Sequence, residues 1–338
     1  MDSKLSSAIG LVEAACQSGE VSTAALLVQK RDFSLIRSFG PEGHRRAVFL
    51  LASISKPFTA TGLMVLVDRG AISLDDPVVK FLPEFSVGER SLVTLRHLLT
   101  HTSGLPDMLP ENIDLRRRHA SLGEFVAATC RTPLLFAPGT QVRYQSMGSL
   151  IAARIAEGVT GMPFRDFLQQ EVFTPLGMTH TSLGMGNRTL ADVVRCQTKG
   201  HDQWNREGED DWNWNSPYWR DLGAPWGGVH STVGDLGRLL DEFLHPSGRV
   251  LKPTTAATMI VNQTGLNEPW GLGWAIRPGT FGRQCSEQTF GHFGTTGTLA
   301  WCDPRARLSC VLLTSKQAAH SRDGLLGQVA DAVAEWGA

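Results

Sequence analysis

Lysine and tyrosine are scarce in this 338-residue chain, which has seven of the first and two of the second. Charge of one sign is also missing. Lys and Arg total 32 against 33 Asp and Glu, scattered rather than run together, so no nucleic-acid or polyanion partner is expected. No apolar run approaches the roughly 20 residues of a membrane-spanning helix. The opening "MDSKLSSAIGLVEAACQSGE" carries Glu13 inside its apolar stretch and has no basic region ahead of a clean hydrophobic segment. It is expected to be a short amphipathic helix rather than a signal peptide, which implies a cytoplasmic protein. The six cysteines make no C-x-x-C pair and no Cys/His metal spacing, and H-E-x-x-H does not occur. No metal or other cofactor is expected, and the thiols are expected to be free. G-x-S-x-G is absent as well, which argues against an esterase of the α/β-hydrolase type. There is no internal repeat and no low-complexity linker.

One of the few lysines stands in "FLLASISKPFTATGLMVLVDRG", a run that is otherwise almost wholly apolar. Pro57 fits a helix only near its start, the apolar residues after it predict a buried helix, and Gly70 is a fitting stop. The helix should therefore begin close to Ser53, leaving the Ser53 N–H outside the helical hydrogen-bond ladder and near the positive end of the dipole. Residues three apart share a helix face, so the Lys56 amine can reach the Ser53 hydroxyl. A buried lysine without a partner is costly. A serine, an adjacent base and a free N–H are the parts of nucleophilic acyl transfer.

The rest of the chain predicts strands at both ends and helices between. "STAALLVQKRDFSLIRSFG" predicts a hairpin. Helices are expected in "TLRHLLTH", "SLGEFVAATC", "SLIAARIAEGVTG" and "STVGDLGRLLDEFL". Strands are expected in "GLGWAIRP", "TGTLAWCDP" and "LSCVLLTS", and a last helix in "GLLGQVADAVAEWG". This pattern implies an α/β domain of the α+β type built from residues 1–80 and 225–338. A mainly helical domain, 81–224, interrupts it, with the active site expected at the seam.

Two further clusters carry polar groups near predicted element ends. Tyr144 lies in "FAPGTQVRYQSMG", where it is either a proton shuttle, if nearby cations lower its pKa, or a ring packed under a loop. "TFGHFGTTGTLAW" holds His292, Gly294 and Gly297. The glycines would let a substrate lie against the backbone, and His292 is either a polar contact in a site or a satisfied strand-end histidine.

In combination with "LRHLLTHTSGLPD", "FTPLGMTHTSLG" and "WGGVHSTVGDL", these segments, in this order, resemble the serine β-lactamase and penicillin-binding-protein superfamily. The similarity is to its class C-like branch, which includes family VIII-type carboxylesterases and D-amino-acid peptidases. The resemblance implies a mostly antiparallel sheet flanked by helices with a helical domain inserted, and no cofactor. It implies that Ser53 is the acylated nucleophile, with Lys56 and Tyr144 as proton-transfer partners. It further implies an oxyanion hole from the backbone N–H groups of Ser53 and Thr295, and places His292, Phe293 and Gly294 where the family has Lys-Thr-Gly.

Departures from that pattern bear on substrate. The family's lysine is replaced by His292, largely neutral near pH 7 if unperturbed, and its threonine by Phe293. The second motif ends in Ser146 rather than asparagine. A substrate carboxylate would lose a charge-assisted partner worth about 1.5–3 kcal/mol, whereas a neutral ester loses little. The expected activity is that of a carboxylesterase on small neutral esters, with a β-lactamase or D-amino-acid-specific peptidase as the alternative and a non-catalytic binding protein as a remote one. A small-molecule ester or amide is the only partner implied. Five of the nine tryptophans (204, 212, 214, 219 and 226) crowd one segment, "WNREGEDDWNWNSPYWRDLGAPW". They either form an acyl or alcohol pocket or stack on a sugar, with Trp226 the first candidate pocket member, or clamp a loop onto the helical domain.

Overall fold

Leu5, Ala8, Val12 and Ala15 recur at helical spacing and are the buried face of the first helix, α1 (Ser3–Gln17). The structure, a computed structural model, describes residues 3–41, 43, 46–198, 201–202, 205–206, 211–317 and 324–338. After α1 come the predicted hairpin, β1 (Ala24–Lys30) and β2 (Phe33–Phe39), and a short strand β3 (Phe49–Leu50). A 3₁₀ turn, Ala52–Ile54, then leads into α2 (Ser55–Asp68). Helices follow: α3 (Leu95–Leu99), α4 (Asn112–Arg117), α5 (Leu122–Arg131), α6 (Met147–Thr160) and α7 (Phe164–Leu168). The chain continues through β4 (Ser182–Leu183), β5 (His201–Asp202), β6 (Asn205–Arg206), α8 (Pro217–Leu222) and β7 (Val229–Ser231). It closes with α9 (Val233–Leu244), α10 (Pro253–Met259), β8 (Phe290–Gly294), β9 (Thr298–Asp303), β10 (Leu308–Thr314) and α11 (Leu325–Gly337).

The main sheet runs β2-β1-β10-β9-β8, and every neighbouring pair is antiparallel. Its central strands read as continuous apolar runs because both faces are covered. Ala24, Leu26, Val28, Leu299, Trp301, Cys310 and Leu312 pack on the side of α1 and α11, with Val329 and Val333. Ala25, Leu27, Ala300, Cys302, Val311 and Leu313 face the opposite way, into a larger core shared with α2, α6 and α9. Each fully buried aliphatic side chain contributes about 1.5–3 kcal/mol, so this two-sided burial makes the sheet a stiff platform.

In α2, every residue from Ser55 to Leu66 is buried, so it is a core helix rather than an amphipathic one. Pro57 lies in its first turn, where no intrahelical N–H is needed. A second small sheet, β3-β7-β4, fixes what precedes it. The expected strand "GLGWAIRP" is not formed and contributes one bridge, Ala275 to Gly291. Gly273 has φ +78°, and the Gly271 N–H bonds back to the Trp274 carbonyl, so the segment turns instead of extending.

Candidate active site

Ser53 sits in the 3₁₀ turn ahead of α2, one residue after a strained position. Ala52 has φ +48°, a left-handed conformation that costs a side-chain-bearing residue about 1–2 kcal/mol. The neighbouring backbone is tied on several sides. The Leu51 N–H donates to the Val229 carbonyl, at 2.9 Å. The hydroxyls of Thr296 and Thr298 donate to the Leu50 and Leu51 carbonyls, at 2.7 and 2.9 Å. These ties bring the end of β8 beside Ser53. They also correct the reading of Gly294: the room left by its missing side chain is filled by the Leu51 carbonyl and the Thr298 hydroxyl, not by a cleft. Among the described residues, neither the Ser53 N–H nor the Thr295 N–H meets a backbone carbonyl, and both residues line one cavity.

Lys56 is one turn further on and 3 % exposed. Its amine donates to the Ser53 hydroxyl at 3.1 Å, to the Tyr144 phenol at 2.7 Å and to the Trp226 carbonyl at 3.3 Å. The Trp226 carbonyl is in reach because the Val229 N–H is anchored to the Ser55 hydroxyl, at 2.9 Å, and the Pro225 carbonyl to the Thr59 hydroxyl, at 2.7 Å. Burial penalises the ammonium and pulls Lys56 down to about 8, against the Asp107 carboxylate, which acts the other way. Tyr144 differs from expectation. Burial pushes its phenol well above the ordinary value, opposed by a hydrogen bond with Ser53, so it remains a neutral phenol.

The loop carrying Tyr144 is held from below by residues the sequence reading passed over. Gln145 is fully buried. Its side chain accepts from Ser103 at 2.6 Å and donates to the His97 carbonyl at 3.3 Å, and its backbone N–H donates to His101 Nδ1 at 3.2 Å. The His101 ring lies 4.7 Å from that of Tyr144 and is kept neutral by burial, with Lys56 and His292 adding to the effect. Ser146 is committed to this framework. Its hydroxyl donates to Asp107 Oδ1 at 2.6 Å, and its N–H to the Asp107 carbonyl at 3.3 Å. "HTSGLPD" had signalled the loop; that Gln145 and Asp107 pin it needed their distant partners.

Two cavities meet at Tyr144. One, of about 300 Å³, is lined by Ser53, Thr295, Asp107, Ser146 and the indoles of Trp214, Trp219 and Trp226. The other, of about 470 Å³, is lined by Trp270, Ala275, Glu268, Arg277, His292 and Phe293. His292 and Phe293 are therefore placed across Tyr144 from the serine. The His292 ring stands 6.0 Å from that of Tyr144, and Phe293 stacks on Phe281 at 5.1 Å. A larger cleft of about 770 Å³, bordered by α5, α6 and α7, contains none of Ser53, Lys56 or Tyr144. Of the tryptophan-rich segment, Trp204 lies outside the described residues, and Trp212 is buried beside Arg116. Among the described residues no helix is long and apolar enough to cross a membrane, and no cluster of His, Cys, Asp and Glu could hold a metal ion.

The chain is similar to several known proteins. Penicillin-binding protein 4 of Amycolatopsis lactamdurans is 33 % identical over 248 residues, which cover 68 % of this chain and 62 % of that protein. The chain thus spans less than two thirds of that relative. Esterase EstB of Burkholderia gladioli is 34 % identical over 187 residues, 50 % of this chain and 46 % of that protein. The solved structure of EstCE1, a hydrolase with promiscuous acyltransferase activity, has the same fold, with a TM-score of 0.81 at 21 % identity over 98 % of both chains. The family model described as Beta-lactamase matches residues 9–334, nearly the whole length that carries the two-sided sheet and the Ser53 turn, and the chain belongs to that family of serine hydrolases.

Proposed function

We propose that the protein is a carboxylesterase that works through an acyl-enzyme on Ser53. The observation that carries this reading is the buried amine of Lys56 bonded to both the Ser53 hydroxyl and the Tyr144 phenol. Uncharged Lys56 takes the Ser53 proton as Oγ attacks the ester carbonyl, and the N–H groups of Ser53 and Thr295 receive the developing oxyanion. As the tetrahedral intermediate collapses, Tyr144 gives its proton to the leaving alkoxide and recovers one from Lys56. Water then attacks the acyl-enzyme by the same steps in reverse. Lys56 suits the base role because its pKa is brought toward neutrality, and Tyr144 suits the acid role because its phenol keeps its proton.

An ester is favoured over a lactam or a D-Ala-D-Ala peptide by the cavity beyond Tyr144. Among the described residues, the only Lys or Arg lining it is Arg277, which is ion-paired with Glu268. A leaving group with a carboxylate would have to compete with that pair. Purified protein should turn over a short-chain nitrophenyl ester with kcat/KM at least about 100-fold above a chromogenic lactam, and a lactam rate equal to the ester rate would reverse the order. The double variant His292→Lys with Phe293→Thr should raise the ratio of acidic to neutral substrates by about 10- to 100-fold. An unchanged ratio in a well-folded variant would mean these positions do not set substrate class.

Tyr144→Phe gives a second check. Without a proton donor, turnover of alkyl esters, whose alkoxides are poor leaving groups, should fall by about 10²–10⁴-fold. Nitrophenyl esters, whose leaving group needs no proton, should lose much less. Equal losses for both would remove the acid role.

A further inference from the structure

The tryptophan-rich segment is not absorbed by the chemistry above, yet three of its indoles wall the cavity that contains Ser53. Trp214, Trp219 and Trp226 are each no more than 4 % exposed, and Met108 and Leu50 complete an apolar lining. Arg116 on α4, itself 2 % exposed, also lines the cavity. Its guanidinium lies 4.0 Å from the centre of the Trp219 ring and 4.9 Å from that of Trp212, and it donates to the Trp212 carbonyl at 3.0 Å. These contacts to two indoles and a carbonyl fix the guanidinium and brace the Trp219 ring beside the cavity.

The acyl chain and the alcohol both start at the carbon that Ser53 Oγ attacks, and the proton donor divides them. The leaving oxygen faces Tyr144, at the junction of the two cavities, and the acyl chain is assigned to the cavity that Ser53 lines. The alcohol departs past Tyr144, which lines both cavities, toward Trp270 and Phe293. A volume of about 300 Å³ is roughly twice that of an apolar protein cavity known to hold a benzene molecule. It accepts one ring, a short linker and the carbonyl, and no long alkyl chain. Indole rings favour a flat π-system over a puckered aliphatic ring of equal size, because ring quadrupoles add to area burial.

Resting on the acyl-enzyme reading, we infer that the Ser53 cavity is an aryl-acyl subsite and that the preferred substrates are esters of short arylalkanoic acids. The test uses the intact chain and two pairs of esters. In the first pair the leaving alcohol is constant and the acyl group is phenylacetyl or cyclohexylacetyl. In the second the acyl group is acetyl and the alcohol is benzyl or cyclohexylmethyl. The expected kcat/KM ratio is about 10-fold in favour of the aromatic acyl member, with a smaller ratio for the alcohol pair. In Trp219→Leu the acyl ratio should fall toward unity. If that variant fails to fold, competitive inhibition of the parent by benzylboronic and cyclohexylmethylboronic acids reads the same preference. An acyl ratio near unity, or an aromatic preference that follows the alcohol, overturns the subsite assignment. Labelling of Ser53 by a fluorophosphonate separates the two failures: labelling with a flat ratio sinks the subsite alone, and no labelling sinks the acyl-enzyme reading beneath it.

Discussion

Ser53→Ala is expected to abolish covalent labelling by a fluorophosphonate and to lower ester turnover by about 10⁵–10⁶-fold, the loss seen when a serine nucleophile is removed from a preorganised site. The fold should survive. The side chain lost is small, and the turn that holds it is fixed by backbone bonds to Val229 and by the Thr296 and Thr298 hydroxyls, none of which involves the Ser53 side chain. Residual binding should also survive, since the N–H groups and both cavities remain. Circular dichroism and a thermal melt on the variant separate loss of chemistry from loss of structure. Activity within tenfold of the parent, in protein freed of contaminating esterase, would refute the nucleophile assignment.

That assignment was open to sequence reasoning because it is local. Ser53, Lys56 and Pro57 lie within one helical turn, and the cost of burying a lysine speaks for a partner whether or not that partner is known. The strands themselves were legible from their β-rich runs, but that helices flank the sheet came from the resemblance, and the burial of both its faces is seen in the fold. Tyr144 was different. Its residue type and loop permitted two readings, and resemblance chose between them. The direction of its pKa shift needed the fold, because it is set by burial, which outweighs the hydrogen bond with Ser53. Asp107 and Gln145 were hidden for a related reason. Each earns notice through a partner some forty residues away, Ser146 for one and Ser103 for the other. The strand expected in "GLGWAIRP" failed because alternating apolar residues cannot outvote a glycine at positive φ that turns the backbone.

Loss of the Lys56 amine should cut kcat/KM by about 10²–10⁴-fold and change two pH dependences in ways that a merely structural lysine would not. In the parent, the base is active only when uncharged. With Lys56 at about 8, kcat/KM should climb about tenfold between pH 7 and pH 9, and Lys56→Met should lose that rise. Stability moves in the same window. The folded pKa is depressed below the ordinary lysine value of about 10.4, so between pH 8 and pH 10 the unfolded chain binds the extra proton and stability increases with pH. Below pH 8 both states are protonated and the folded protein bears the full cost of a buried ammonium, about 3 kcal/mol. The hydrogen bonds to Ser53, Tyr144 and the Trp226 carbonyl offset part of that cost, and Lys56→Met removes the cost and the bonds together. The absolute stability of the variant therefore matters less than the slope. Relative to the parent, Lys56→Met should be most stable below pH 8 and lose up to about 3 kcal/mol of that relative stability by pH 10. Urea denaturation at pH 6.5, 8 and 10 measures this. A difference between the two proteins that stays constant over the range would place the Lys56 pKa at its ordinary value and remove it as the base.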